Sequence, residues 1–273
     1  MDIEGLHYAD QYLWLTGSHS TKRKKAKPDN ADRLKKVKFE PNRYLIARIP
    51  LVEGTLTKSH ELLKSAYLER NEDGNMLISV LKQDDCLAPF FAPEHAALPS
   101  KDNGFDIEGL VACKNRLLLG LRGPVLRGIS ILLEIEVEET DSGLLALKPL
   151  GKHEKLYKKH FLDLDGLGIR DLCFDGDDLL IVAGPTMDLD GTIRLFRLKD
   201  ALDLSDNSFV QQDGKHLEAL FDIPHGRGID RAEGIALISS LDQPSCLLVI
   251  YDSPDPNRIV GDTHVLADIF TLQ

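Results

Sequence analysis

Three short runs in this 273-residue chain set a glutamate directly before a small-side-chain turn point: Glu4 and Glu108, each in DIEG, and Glu233 in RAEG. A fourth run, GIRD, carries Arg170 and Asp171 where the others have Glu-Gly. In an extended strand positions i and i+2 share a face, so Asp106 points with Glu108 and Asp2 with Glu4, unless the glycine introduces a bulge. Carboxylates brought within a few ångströms raise one another's pKa unless a cation intervenes. Oxygen donors without a cysteine or histidine cluster suit a hard ion, Ca²⁺ or Mg²⁺, and disfavour zinc. Two readings follow. In one, Glu4, Glu108 and Glu233, with Asp106 beside them, hold a divalent metal. In the other, each glutamate pairs with Arg170 or accepts backbone hydrogen bonds, and the ring braces neighbouring sheets.

Further polar side chains fall in the turns that follow each second strand. GSHS contributes His19, GLRGPVLRG contributes Arg122 and Arg127, and SKDNGFD contributes Lys101, Asp102 and Asn103 just upstream of the second glutamate run. Arg122, Arg127, Arg170, Lys101 and Asn103 are the candidates for binding an anionic ligand through carboxylate or phosphate oxygens; Asn103 also suits a turn. In the metal reading the ion polarises an ester or phosphoryl oxygen, and His19 or Asp171 assists proton transfer, which would make the chain a calcium- or magnesium-dependent hydrolase. No GxSxG, HExxH, Walker A or strand-linked GxGxxG signature is present. The alternative is a non-catalytic propeller scaffold that binds a protein or a small anionic molecule.

The elements that must position these residues emerge from an internal repeat. DIEGLHYADQYLWLTGSHS (2–20) aligns without a gap to DIEGLVACKNRLLLGLRGP (106–124), GIRDLCFDGDDLLIVAGPT (168–186) fits the same frame, and 231–254 fits with a longer turn. The equivalent positions 4, 108, 170 and 233 are spaced by 104, 62 and 63 residues. Each copy continues into a third apolar segment, RYLIARIPL, SILLEIEV, TIRLFRL or HVLADIF, and HFLDL and LEALFDI supply further ones. A four-stranded antiparallel sheet repeated at this spacing buries both faces only by radial stacking. The fold class is therefore all-β: a single β-propeller domain over 1–273 with four recognisable four-stranded blades, whose first strands line a central channel.

The longer first interval predicts a helical and loop insertion over about 60–104, with helix in the stretch from Asn75 to Lys82 and a Pro-bearing loop, PFFAPEHAALPSKDNG, after it. Residue 2 already stands in an inner strand, so a fifth or sixth blade would come from that insertion or from an upstream segment. Residues 22–38 of the loop at 21–38 hold nine Lys/Arg and two Asp, a local +7 on a chain of net charge −11, which leaves −18 for the rest. That body repels a nucleic-acid duplex and draws cations, and the loop reads as a solvated turn. The cysteines at 86, 113, 173 and 246 match neither a zinc ribbon nor a CxxC pair, which favours a reduced, cytoplasmic chain. No apolar run approaches bilayer length, so no membrane partner is expected.

PSKDNGFDIEGL, LLLGLRGPVLRG, DIEGLHYADQYLWLTGSHSTKRKK and GIRDLCFDGDDLLIVAGPTMDLDG resemble a bacterial domain of unknown function, number 3616, over nearly the whole chain. That resemblance implies a propeller, carries no activity with it, and favours an upstream segment as the source of further blades. More distantly, the repeated acidic-Gly motif resembles calcium-dependent propeller hydrolases of the phytase-like, lactonase and paraoxonase-like kinds, in which inner-strand acidic residues hold calcium. This chain departs from such a ring at Arg170.

Overall fold

The computed structural model describes residues 2–91, 98–150, 154–240 and 243–272. Four antiparallel sheets stand around one axis as a four-bladed β-propeller. The first is built from Ile3–Ala9, Tyr12–Gly17 and Ile46–Val52, with Ala66–Tyr67 as a two-residue outer strand. The second runs Asp106–Cys113, Arg116–Gly123, Ser130–Glu139 and Lys158–Leu162; the third runs Gly168–Asp175, Asp178–Gly184, Arg194–Leu198 and Leu217–Asp222. Three strands form the fourth: Arg231–Ser240, Gln243–Asp252 and Asp268–Thr271. The expected segment HVLADIF is divided, because His264–Val265 pairs with Ile259–Val260 and only Asp268–Thr271 joins the sheet.

Sheet-on-sheet packing explains why the second strands read as unbroken apolar runs, since both of their faces are covered. Leu117 and Leu119 point to the first sheet, and Leu118 points to the third. One repeat further on, Leu179 and Ile181 face the second sheet, whereas Leu180 and Val182 face the fourth. Close approach of the inner strands depends on the motif glycines. A Cβ on Gly5 would stand 2.8 Å from Leu110 Cβ, and one on Gly109 would stand 2.7 Å from Leu172 Cγ, so neither position has room for a side chain.

The insertion contributes no further blade among the described residues. It holds a short hairpin, Ser59–His60 with Leu63–Lys64, and the predicted helix, seen at Met76–Leu81, which buries Leu77, Ile78 and Leu81 against the first and second sheets. Asn75 caps it, its side chain accepting from the Ile78 N–H at 3.2 Å. Asp84 then anchors the segment to the second sheet, accepting from Tyr157 Oη at 2.5 Å and lying 2.6 Å from Lys159 Nζ. Burial opposes ionisation of Asp84, yet the bonds from Lys159 and Tyr157 hold its pKa below the ordinary carboxylate range. Residues 92–97, within the expected Pro-bearing loop, and residues 241–242, within the expected longer turn of the fourth copy, lie outside the described residues. Among the described residues, no helix is long and apolar enough to cross a membrane.

A guanidinium-braced axial channel as the candidate functional site

All four inner strands carry a β-bulge at the same repeat position. The register shifts between Ile3 and Gly5, between Ile107 and Gly109, between Ile169 and Asp171, and between Ala232 and Gly234. The residue left in each bulge is Glu4, Glu108, Arg170 or Glu233. A bulge re-aims its side chain out of the strict alternation of the strand, and here it brings all four toward the axis.

There the charges pair. Glu108 is buried, with Oε1 2.8 Å from Arg122 Nη1 and Oε2 2.9 Å from Arg170 Nε. Arg170 also bridges to Glu233, linking the second, third and fourth sheets through one guanidinium. Asp106 stands 3.8 Å from Arg122 Nη1, and its Oδ1 is buried without a hydrogen-bond partner. Burial, followed by the Glu108 charge, pushes the Asp106 pKa well above the ordinary range. Glu4 is pushed up to about 9, first by burial and then by Glu108, Asp106 and Asp2. Glu4 therefore holds its proton at neutral pH, and burial biases Asp106 in the same direction. Asp171 is pushed up to about 7 by burial, and its carboxylate accepts from Leu172 N and Ile235 N, each at 2.8 Å. That second bond fastens the third inner strand to the fourth, so Asp171 acts as a staple between sheets.

His19 lies apart from this group. It is fully buried in a left-handed conformation (φ 54°), its Nδ1 2.8 Å from Gly17 O and its Nε2 2.7 Å from Asn75 Nδ2. A carbonyl on one side places the proton on Nδ1, leaving Nε2 to accept from the amide. Burial lowers its pKa to about 4, so the ring is neutral and ties the first sheet to the helix cap. His19, expected as one of two alternative groups for proton transfer, thus lies away from Asp171, the other. Asn103 is likewise a turn former: its Oδ1 accepts from Val125 N at 3.0 Å and its Nδ2 donates to Val125 O at 3.3 Å. Arg127 is exposed in a turn, with φ 51°.

Lys101, Arg122 and the carboxyls of the axis do converge. They line a cavity of about 470 Å³ at the channel mouth, together with Lys22, Arg23, Lys24 and Lys25 from the basic loop. The loop read as a solvated turn therefore has its root at the channel. Arg23 is held 2.6 Å from Asp102. Lys24 is pushed below its ordinary pKa by Lys38 and then by burial and by Lys36 and Arg33, and Lys101 is lowered by burial despite Asp188 at 3.9 Å.

The sequence reading missed Arg43, buried behind the first inner strand. Its Nη2 lies 2.7 Å from Asp2 Oδ2, and it donates to Ser18 Oγ and Ser20 Oγ, each at 2.9 Å. The available signal was the alternation of GSHS, which sets Ser18 and Ser20 on one side. Another polar chain, Ser208 to His160 at 2.9 Å and His160 to Glu134 at 3.1 Å, joins the parallel strand Ser208–Val210 to the second sheet. The four cysteines are free.

A divalent ion does not fit this arrangement. Both oxygens of Glu108 face guanidinium groups, Glu233 faces a third contact of the same kind, and among the described residues no group of three or more His, Cys, Asp or Glu side chains is placed to hold a metal. The site belongs to a β-propeller whose axis carries a chain of ion pairs, Arg122 to Glu108 to Arg170 to Glu233. The chain matches the family described as Protein of unknown function (DUF3616) over residues 1–268, and it belongs to that family. Neither a curated protein nor a solved structure matches it.

Proposed function

We propose that this propeller is a binding protein for a small anionic molecule, which enters the channel mouth with its phosphate or carboxylate group against Lys22, Lys24, Lys25 and Lys101. The observation that carries this reading is the cavity of about 470 Å³ rimmed by those lysines. Lys38, Lys36 and Arg33 of the basic loop press on Lys24, and Arg122 and Lys25 press on Lys101 beside its burial, so an entering anion relieves repulsion at both lysines. The acidic floor does not oppose it. Asp2, Glu108 and Glu233 are matched by Arg43, Arg122 and Arg170, while Glu4 holds its proton and burial disfavours the charge on Asp106. A calcium-dependent hydrolase of the kind the repeat resembles would need those carboxylates free of arginine.

Thermal melting tests the reading with inorganic phosphate and pyrophosphate as probes. A ligand that binds only the native state raises the melting temperature by linkage, equivalent to about 2.7 kcal/mol at 100 times Kd. The rise is expected with either anion, to shrink with added salt, and to vanish in a Lys24→Ala/Lys25→Ala/Lys101→Ala variant. No response to millimolar anion, or a response that survives loss of the lysines, overturns the proposal. A rise with calcium that a chelator reverses, without an anion response, restores the metal reading in its place.

A further inference from the structure

The turn after the second strand of the third sheet folds over the axial guanidinium groups without satisfying them. Arg122 Nη2 donates to Met187 O at 3.5 Å and Arg170 Nη1 donates to Pro185 O at 3.4 Å, both long for hydrogen bonds. Arg122 is 5% exposed, and its buried Nε has no hydrogen-bond partner. Glu108 and Glu233 neutralise the two arginines from the other side, yet they take only part of the five N–H donors that each guanidinium offers. A buried charged donor without an acceptor is costly, and beside a cavity it marks where the acceptor of a ligand belongs.

Such a cavity is present. It measures about 20 Å³ and is bounded by the turn, by Arg122 and Arg170, and by Arg231 and His225 at the entry to the fourth sheet. Pro185, Met187 and Ile193 supply apolar wall. Asp190 also lines it, but that carboxylate already accepts from Gly228 N at 3.0 Å and lies 3.5 Å from Arg231 Nη2. The space exceeds the roughly 10–15 Å³ that one water requires, so it admits an oxygen-sized group and little more. Arg122 lines this cavity and the channel mouth alike.

Resting on the anion-binding reading above, we infer that this cavity is an inner subsite of the same site, and that the ligand carries two neighbouring anionic groups, as a diphosphate does. One group lies against the lysines of the mouth. The other passes an oxygen beneath the turn to Nε and Nη2 of Arg122, in place of the long contact to Met187 O. A planar guanidinium suits the inner position because its paired donors match the oxygens of one phosphoryl group, whereas the lysines outside act as point charges. A single phosphate or carboxylate fills only half of the site.

Titration calorimetry with inorganic phosphate and pyrophosphate, on the wild-type chain and two variants, tests this. Arg122→Lys keeps the charge opposite Glu108 and removes the Nε and Nη2 donors. Gly191→Val alters no ion pair: its φ lies outside the left-handed region, and a Cβ there stands 3.0 Å from Pro185 Cγ, so the added side chain crowds the wall of the cavity. The wild type is expected to bind pyrophosphate about tenfold or more tightly than phosphate, and each variant to lose about tenfold more in pyrophosphate affinity than in phosphate affinity. Gly191→Val decides the matter should Arg122→Lys lose the wild-type circular dichroism. Equal wild-type affinity for the two anions overturns the inference, as do variants that keep the preference or lose both anions alike. Lysine-dependent phosphate binding without a pyrophosphate preference removes this inference and leaves the anion-binding reading standing, whereas a chain that binds neither anion removes both.

Discussion

At the scale of single residues, the axis holds a carboxyl whose burial works against its charge. Glu4 keeps its proton in the native state up to about pH 9, whereas an unfolded glutamate releases it near its ordinary value of 4.5. Between those limits the native chain binds more protons than the unfolded one, so stability falls as pH rises. Asp171 contributes the same sign only up to about pH 7, and Asp106, raised by burial and by Glu108, adds to the decline in the same direction. Glu4→Gln is expected to flatten the decline of melting temperature between about pH 7 and 9, and to stabilise the protein by about 1–2 kcal/mol at the upper end. An unchanged slope in the variant would show that Glu4 ionises freely. The sequence marked Glu4, Glu108, Arg170 and Glu233 as equivalent because their flanking residues repeat. Arg43 was harder to see, because it precedes its strand without any motif around it and only the Ser18–Ser20 alternation hints at its partners.

At the scale of elements, strand identity was legible wherever both faces are apolar, as in RLLLGLRG and DLLIVAG, because burial between sheets leaves no polar alternation to misread. Legibility failed at HVLADIF, where five apolar residues span a hairpin and a sheet strand. Side-chain type there cannot tell one pairing partner from another. It failed also at His19, since a buried neutral histidine and a catalytic one have the same letter, and only the Asn75 cap distinguishes them. The inner-strand glycines carry an element-level prediction. Gly109→Val sets a branched side chain against Leu172 and forces the second and third sheets apart, so denaturant unfolding should show a loss of about 1–3 kcal/mol. Valine at Gly143 of the same sheet's outer turn, where a Cβ meets nothing within 4 Å, provides no such wedge and makes a useful contrast, although its φ of 76° brings its own backbone strain.

At the scale of the whole molecule, one guanidinium joins three sheets. Arg170→Met leaves Glu108 with a single partner and Glu233 with none in a channel that excludes water from Glu108. Removing one member of a buried ion pair costs about 3–5 kcal/mol, much of it the desolvation of the charge left behind. Chemical denaturation should therefore place Arg170→Met well below wild type, and Arg170→Met/Glu233→Gln should recover part of the loss. A variant as stable as wild type would mean that the sheets are held together by their apolar faces alone. The acidic body and the basic loop also divide labour across the molecule: the body's charges on the axis are neutralised internally, and the loop's are left at the mouth.

The recurrent bulge has a consequence for how such an axis changes over time. A bulged residue lies outside the ladder of hydrogen bonds, so its side chain is chosen without reference to strand pairing. The positions of Glu4, Glu108, Arg170 and Glu233 behave as interchangeable fittings on a fixed frame. Exchanging one letter at such a fitting rewrites the charge pairing of the channel rather than the pairing of strands, so the cost of the exchange falls on the ion pairs of the axis and not on the register of the sheets.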